Sequence, residues 1–272
     1  MFKAKQKAVK VLIALLLLFF AVLCLYPFLY MLLMSFTTSR SLRLSLDSLS
    51  FDFANYLAVF EQVDFFNAFK NSLIITAASC LLNDLVSAMA AYGFAKKRFR
   101  GSRLIFTIFM LTMMVPGQSF VIPVFVIMRQ LDWVSTYQAL ILVNTGAFGV
   151  FLIRSFMGGV PDELLESAKI DGCGETRIFV SIVLPLIRPA LVALTIFTFI
   201  NTWNDFLWPL VVALDSEMYT LQVVLASLKR AYVANYGLIM AGATLSFLFP
   251  FVLYLFLQKL FIEGIAISGI KG

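Results

Sequence analysis

The sequence predicts an all-α integral membrane protein with six transmembrane helices and a short cytoplasmic helix between the fourth and the fifth. Of its 272 residues, 61% are hydrophobic and 13% are charged, whereas soluble domains are about half apolar and about a quarter charged. The mean hydropathy is +0.95. Six apolar stretches reach or approach the roughly 20 residues that a helix needs to cross a bilayer, and basic residues cluster between alternate stretches.

The six apolar stretches define the predicted helices in order. A spanning helix satisfies its own backbone hydrogen bonds, so each continuous apolar run predicts one crossing. The first stretch follows four lysines, as the core of a signal sequence would, but it contains no small-residue cleavage site, so we predict an uncleaved helix. The fourth stretch is short. The stretches are residues 11–34, 72–95, 104–128, 139–156, 178–200 and 241–261.

The basic residues predict the orientation, because short cytoplasmic loops retain lysine and arginine. With the N-terminus inside, 15 of the 21 basic residues fall on the inner side. Both termini are then cytoplasmic, and the net charge of +6 requires no nucleic-acid partner. We predict a cytoplasmic tail, first helix and outer loop in residues 1–70, a core of five helices in 71–263, and a cytoplasmic tail in 264–272.

The second stretch is rich in small residues, which let helices approach closely, so we predict that it packs against protein more than lipid. Within it lies Asp84, and a charge at that depth costs about 2.5 to 3.5 kcal/mol on insertion scales. Asp84 is either a polar group on a translocation path or gate, or a neutral or hydrogen-bonded acid that joins two helices. In the third stretch, Pro116-Gly117 predicts a sharp break, since proline removes a backbone donor.

Several kinds of chemistry are excluded by residues that the sequence lacks or misplaces. With 0 histidines, the chain can build neither a His-metal site nor a His-activated nucleophile. Its three cysteines form no disulfide framework and no CxxC pair, so we predict no metal site and no catalytic residue. Residues 264–269 have the glycine spacing of a phosphate loop, but Ile270 occupies the lysine position. The chain is predicted to bind no cofactor. Any energy that it needs must therefore be supplied by another protein.

The segment between the fourth and fifth stretches predicts a short helix. Pro161 stands where a helix can begin at no cost in hydrogen bonds, acids follow in the first turn, and Gly172 stands where a helix can end. By itself, such an amphipathic helix lies on the membrane or packs on its own protein. Its apolar side comprises Leu164, Leu165, Ala168 and, as a further candidate, Ile170.

The spacing in this segment resembles the EAA motif of binding-protein-dependent ABC importer permeases. Glu166-Ser167-Ala168 is followed after three residues by Gly172, and after nine more by an Ile-x-Leu-Pro run; Ser167 replaces the second alanine of the motif. In that family the loop forms a coupling helix that docks into a cleft on the ATPase subunit. The resemblance implies an ATPase-coupling role for Glu166, Ser167, Ala168, Asp171, Gly172, Ile182, Leu184 and Pro185.

Weaker similarities extend the resemblance over nearly the whole chain and narrow it to the carbohydrate, maltose class. The Asn55-Tyr56 pair, the run 91–95, Trp203-Asn204-Asp205-Phe206 and the run 219–222 occur in the family's order. The tail ending in Lys271-Gly272 is similar to that of the MalG-type second permease, which implies that Lys271 and Gly272 contact the ATPase.

The resemblance implies a permease subunit that moves a sugar or oligosaccharide into a prokaryotic cell across the plasma (inner) membrane by alternating access. The implied partners are an extracytoplasmic solute-binding protein, a second homologous permease in a heterodimer, and two ATP-binding subunits that carry the ATP and Mg. A polyol or glycerol-phosphate-type solute remains an alternative, as does an ATP-independent secondary transporter. An intramembrane enzyme is disfavoured by the missing histidines and scarce acids, and a receptor or scaffold would give no solute flux.

Four residues are candidates for contact with the solute, in addition to Asp84. Sugar sites present aromatic faces beside hydrogen-bonding groups, and such groups follow the fifth stretch. The same residues can instead form an interfacial aromatic belt, or a surface that meets the solute-binding protein. The candidates are Trp203, Asn204, Asp205 and Trp208.

Overall fold

The computed structural model describes residues 2–37, 52–231 and 235–266, which are mostly helical. The chain forms two compact units. The first unit comprises Met1–Phe65 and Val224–Phe251, and the second comprises Phe66–Val223 and Val252–Gly272. Lys271 and Gly272, the predicted tail contacts, lie outside the described residues.

The first unit contains two helices near the N-terminus, α1 (Phe2–Ser35) and α2 (Ala54–Gln62). Asn55 of α2 donates hydrogen bonds of 2.8 Å to the carbonyl oxygens of Ser35 and Thr37. These bonds satisfy carbonyl groups at the end of α1, which have no partners within the helix. The described apolar side chains of α1 are exposed along most of its length, as expected of a helix that faces lipid or another membrane protein.

The second unit holds most of the remaining helices. They are α3 (Phe65–Lys96), α4 (Ser102–Leu111), α5 (Val121–Gln130), α6 (Tyr137–Leu142), α7 (Ala147–Met157), α8 (Asp162–Ile170), α9 (Glu175–Ile178), α10 (Leu184–Leu186), α11 (Arg188–Asn204) and α12 (Leu207–Val212). Two further helices, α13 (Leu221–Ala231) and α14 (Tyr236–Ala266), have residues in both units.

Helix α3 is the most buried of the three long apolar helices, as its small residues predict. In the span Phe65–Lys96, 39% of the most apolar window is buried, against 22% for Tyr236–Phe256 and 0% for Val9–Ser35. Helix α7 approaches α3 closely at Gly149, where an added Cβ would overlap the Ser87 hydroxyl and lie 3.0 Å from Asn83 Oδ1. Small residues thus permit the close contact.

Two of the predicted spans are sharply bent. The helical segments Ser102–Met114 and Gly117–Gln130 meet at 97°, which confirms the predicted break at Pro116-Gly117. Glu175–Leu186 and Arg188–Asn204 meet at 76°, so the expectation of one continuous fifth helix is wrong. There, Pro189 stands in the first turn of α11, where a proline is tolerated because the helix lacks that hydrogen bond anyway.

The fourth predicted stretch is divided into α6 and α7 by residues 143–146. Helix α7 has 11 residues, so it is about 16 Å long against a hydrocarbon core of about 30 Å. Within the described residues, three helices are long and apolar enough to cross a membrane, or up to five if each bent pair counts as one span. The all-helical membrane class therefore stands, and a count of six crossings does not follow from helix length alone.

Candidate functional site

A short helix, α8, occupies the position that the loop sequence predicts, beginning one residue after Pro161. Asp162 and Glu163 lie in its first turn and Lys169 in its last. Acids at the start of a helix and a base at its end complement the helix dipole. The local sequence therefore favours a helix that begins and ends at these residues.

Gly172 ends this helix with a backbone motif. Its φ of +81° lies in the left-handed region that favours glycine. The Gly172 N–H donates to the Lys169 carbonyl at 3.0 Å, and the Cys173 N–H donates to the Ala168 carbonyl at 2.9 Å. These two bonds are those of the Schellman motif, which satisfies the last carbonyl groups of a helix. The predicted role of Gly172 as a helix terminator is confirmed.

One side of α8 is buried in the core of the second unit. Leu165 and Ala168 pack with residues of α3, α7, α9 and α11, and Ile182 and Leu184 lie partly buried against the same cluster. Leu164 is 46% exposed and Ile170 is 86% exposed, so only Leu165 and Ala168 of the predicted apolar side are buried. The exposed surface of the segment, which we call the open face, comprises Leu164, Glu166, Ser167, Ile170, Asp171 and Gly172.

Charged groups from the end of α3 hold the start of the α8 segment. Lys96 Nζ donates to the Val160 carbonyl at 2.6 Å and to Asp162 Oδ1 at 2.7 Å. The Lys96 side chain is only 7% exposed. Its charge and hydrogen bond hold the pKa of Asp162 below its ordinary value. A buried ammonium group is thereby paired at the helix start.

A second set of charged groups lies beyond the end of α8, around Glu175. Lys97 forms an ion pair with Glu175 Oε2, which also accepts a 2.9 Å hydrogen bond from the Tyr92 hydroxyl. Lys169 approaches the other carboxylate oxygen at 3.6 Å. Burial alone would lower the pKa of Lys97, but its bonds with Glu175 and Tyr92 raise that pKa overall.

A cavity of about 170 Å³ lies elsewhere in the second unit, where α3, the break before α7, and α11 meet. At about 30 Å³ for each molecule, it would hold roughly five or six waters. Its polar lining consists of amides and hydroxyls, and among the described residues that line it there is no charged side chain. The lining is Asn83, Val143, Asn144, Thr145, Gly146, Phe148, Gly149, Phe197, Thr198, Asn201 and Thr202.

Hydrogen bonds fix one wall of the cavity. Asn83 Nδ2 donates to Thr198 Oγ1 at 2.9 Å, and the Ser87 hydroxyl donates to Asn83 Oδ1 at 3.1 Å. The Thr202 hydroxyl is buried and has no hydrogen-bond partner within the part of the chain that the structure describes. Phe148 and Phe197 meet edge to face, with 5.4 Å between ring centroids. The cavity thus combines a fixed amide, an unpartnered hydroxyl and an aromatic pair.

The residues predicted from sequence to contact solute are not among the residues that line this cavity. Asp84 Oδ2 accepts a 2.5 Å hydrogen bond from the Thr195 hydroxyl, so Asp84 joins α3 to α11. Trp203 is 2% exposed and packs edge to face on Phe69. Trp208 is buried, and its Nε1 donates to the Ala139 carbonyl at 2.9 Å.

Asn204 and Asp205 stabilise the turn between α11 and α12. The exposed Asn204 donates to the Ile200 carbonyl at 2.8 Å. Burial raises the pKa of Asp205, and backbone N–H groups of Trp208 and Leu207 partly offset that rise. In this conformation, the predicted aromatic and polar candidates support the fold around α12, and their contact with solute stays a prediction.

Sequence reasoning identified none of the residues that line the cavity. Asn144 and Thr145 lie within the fourth apolar stretch, and Asn201 and Thr202 directly follow the fifth. Their common signal is that each is an amide or hydroxyl within a predicted span or directly beside one. Such groups need a partner at membrane depth, and several on different helices predict a shared polar surface.

The fold and the two candidate surfaces together define a helical membrane protein with a docking surface and a polar cavity. Residues 85–266 match the family described as binding-protein-dependent transport system inner membrane component. The chain belongs to this family. The predicted resemblance is confirmed, and the chain is a transport component, as predicted, and not an enzyme.

Individual relatives and a solved structure agree with this assignment. The arabinooligosaccharides transport system permease protein AraQ of Halalkalibacterium halodurans is 36% identical over 93% of this chain and 94% of its own length. The lactose transport system permease protein LacG of Rhizobium radiobacter is 34% identical, covering 90% of each chain. A bacterial ABC transporter involved in the import of the acidic polysaccharide alginate matches with a TM-score of 0.79, 25% identity, and coverage of 94% of this chain and 97% of that one.

Proposed function

We propose that this chain is a permease subunit of an ATP-driven ABC importer that moves a sugar or oligosaccharide into the cytoplasm. The observation that supports this proposal most is the two-sided character of α8. One side is packed in the core of the second unit, and the open face is exposed. In this function, the open face docks on an ATP-binding subunit, which holds ATP and Mg. A solute-binding protein delivers the cargo from outside, and a second permease completes the pathway.

The proposed coupling residues divide between the two sides of α8. Glu166, Ser167, Asp171 and Gly172 are exposed, so they are available to a partner. Ala168 is 6% exposed and faces the core, so its part is to let the helix pack closely. Ile182 and Leu184 anchor the following segment in that core. ATP-driven movement of the docked subunit would therefore displace packed helices, because close-packed cores transmit strain.

The proposed topology has six crossings with both termini cytoplasmic. The two bent pairs each supply one crossing, and α6 with α7 supplies the short fourth. Irregular backbone at the breaks is tolerated in a membrane where it is buried in protein or lines a water-filled cavity. The break at residues 143–146 meets that condition, since it lines the cavity. The excess of basic residues on one side supports the orientation.

The cavity supports a neutral sugar as cargo. Amide and hydroxyl groups pair with sugar hydroxyls, and the Phe148–Phe197 pair offers an apolar surface to a sugar ring. A phosphate or uronate group would call for a basic residue in the lining. Typical ligand pockets exceed about 300 Å³, so at about 170 Å³ this cavity is smaller than a usual site for a whole oligosaccharide. The named cargoes of AraQ and LacG support the same class.

Replacing Gly172 tests the coupling role. An added Cβ meets no atom within 4 Å, but the φ of +81° makes every other residue strained. Gly172→Leu should disrupt the Schellman motif and abolish ATP-coupled uptake into proteoliposomes. Membrane insertion should remain intact. Gly174→Leu is the matched control, because Gly174 also has open space and an ordinary φ of −71°. Normal uptake by Gly172→Leu would refute the role, and the solute retained by the cognate binding protein would identify the cargo.

A further inference from the structure

Two adjacent lysines, Lys96 at the end of α3 and Lys97 directly after it, contact the start of α8 and the first residue of α9, respectively. Lys96 contacts residues 160 and 162, just before and within the first turn. Lys97 pairs with Glu175, beyond the last turn. The contacts join positions 66 and 78 residues apart in sequence, so they tie α8 to a helix that is not its neighbour along the chain.

These contacts differ from ordinary surface ion pairs. The Lys96 side chain is 7% exposed and binds a backbone carbonyl as well as a carboxylate, so its ammonium group has a fixed position. Lys97 lies 5.0 Å from the centre of the Tyr92 ring, and Tyr92 itself belongs to the core cluster. Exposed pairs contribute little on average, and the Lys97 and Glu175 side chains are 36% and 53% exposed. The second contact that each lysine makes, to the Val160 carbonyl or to the Tyr92 ring, is what restrains its position.

Helix α3 continues from the two lysines to the cavity. Asn83 lies 13 residues before Lys96 on the same helix, about 20 Å away at 1.5 Å per residue. Asn83 lines the cavity and bonds to Thr198 of α11. A displacement of α8 that is passed to α3 would therefore reach the cavity wall through a single rigid element.

We propose that Lys96 and Lys97 are positioning residues that make α3 a second mechanical connection between the docked ATPase and the solute cavity. The covalent connections of α8 run through α7 and α9, and its buried side packs with α3 in the core cluster. The lysines add polar contacts from α3 to the start of α8 and the start of α9. Loss of the ammonium groups leaves α8 and α3 joined by apolar packing alone, so less of the movement of α8 reaches the cavity wall for each ATP hydrolysed. This inference rests on the proposed function of the chain as an ABC importer permease.

The test is the number of solute molecules imported per ATP hydrolysed by the reconstituted complete complex. Mutations along a coupling path change the coupling by a factor of roughly 2 to 30, and we expect about a tenfold fall for Lys96→Met combined with Lys97→Met. A purely structural defect lowers uptake and hydrolysis together and leaves their ratio unchanged. Arg100→Met is the matched control, because Arg100 is exposed in the same loop and outside these ion pairs.

Rescue separates a charge effect from a loss of packing. Lys97→Arg keeps the pair with Glu175 and should restore the ratio, whereas Lys97→Met alone should lower it. These two single variants decide the matter if the double variant yields no complex. An unchanged ratio in Lys97→Met, or an equal fall in Arg100→Met, would overturn the proposal. If the unmodified complex imports solute without hydrolysis, the proposed function fails instead, and that outcome is visible before any variant is made.

Discussion

The end of α3 at Lys96 and its middle around Asn83 are held by different chemistry. At the Lys96 end, ion pairs connect α3 to the α8 segment. Around Asn83, neutral amides and hydroxyls connect α3 to α11, and Gly149 allows α7 to approach. Water solvates charged groups near the membrane surface. At membrane depth, a hydrogen bond between neutral groups avoids the free-energy cost of a buried charge. The same helix is thus held by ion pairs at one end and lines a polar cavity in its middle.

This difference predicts that close packing matters most around the cavity and charge matters most near α8. Overlap within a packed core costs about 1–3 kcal/mol and occasionally more. Ion pairs near water contribute less and depend on salt. Three substitutions examine the contrast, from the largest expected effect to the smallest.

Gly149→Ala should have the largest effect on stability. The new Cβ would overlap the Ser87 hydroxyl and press on Leu194 Cδ2 at 3.1 Å, so α7 must move away from α3. We expect destabilisation of about 1–3 kcal/mol, measured as a lower midpoint of thermal unfolding in detergent. Gly158→Ala is the control, since its Cβ would meet only the Ser155 carbonyl at an ordinary 3.6 Å. Equal midpoints for the two variants would contradict the close contact.

Thr202→Val should separate solute binding from stability. The buried Thr202 hydroxyl lacks a partner within the described chain, so its removal should leave stability unchanged or raise it, while uptake falls several-fold as one bond of about 0.5–1.5 kcal/mol to the solute is lost. Thr198→Val makes the matched comparison, because Thr198 accepts from Asn83 and its loss should destabilise the fold by about 1–3 kcal/mol. Undiminished uptake by Thr202→Val would count against the cavity as a solute site.

Asp162→Asn should have the smallest effect, and its effect should depend on pH. Lys96 lowers the pKa of Asp162 in the folded protein, so the pair stabilises the fold fully above the ordinary aspartate pKa of about 3.9 and loses that contribution as pH falls through the lowered value. The unfolding midpoints of Asp162→Asn and the unmodified chain should differ at neutral pH and converge in acid. High salt should reduce the difference. A difference that is constant with pH would show that the charge is irrelevant.

The sequence was sufficient for the features that local chemistry specifies. The burial of α3 followed from its small residues, and the limits of α8 followed from Pro161, its flanking charges and Gly172. The bend at Pro116 followed from the loss of a backbone donor. Each of these signals lies within a few residues of the structure it produces.

Features that depend on distant contacts could not be predicted. Trp208 is eligible for solute contact by type, but a bond to Ala139, 69 residues away, places it in the core. The cavity is lined by residues from three helices, so no single apolar stretch predicts it. The fifth apolar stretch gives no sign in its hydropathy of the bend before Arg188. Ile170 is a different case, because it lies about 200° around α8 from Ala168 at 3.6 residues per turn. Helical spacing alone therefore places it away from the core, where it is exposed.

The separation between Asp84 and its partner has a consequence for how the protein is made. Asp84 bonds to Thr195, 111 residues later, and Asn83 bonds to Thr198, 115 residues later. During synthesis, α3 therefore leaves the ribosome long before α11 exists to receive these groups. Until then, Asp84 and Asn83 of α3 lack these hydrogen-bond partners, and unpaired polar groups at membrane depth are costly in free energy. The hydrogen bonds that join α3 to α11 can therefore form only after α11 has been made.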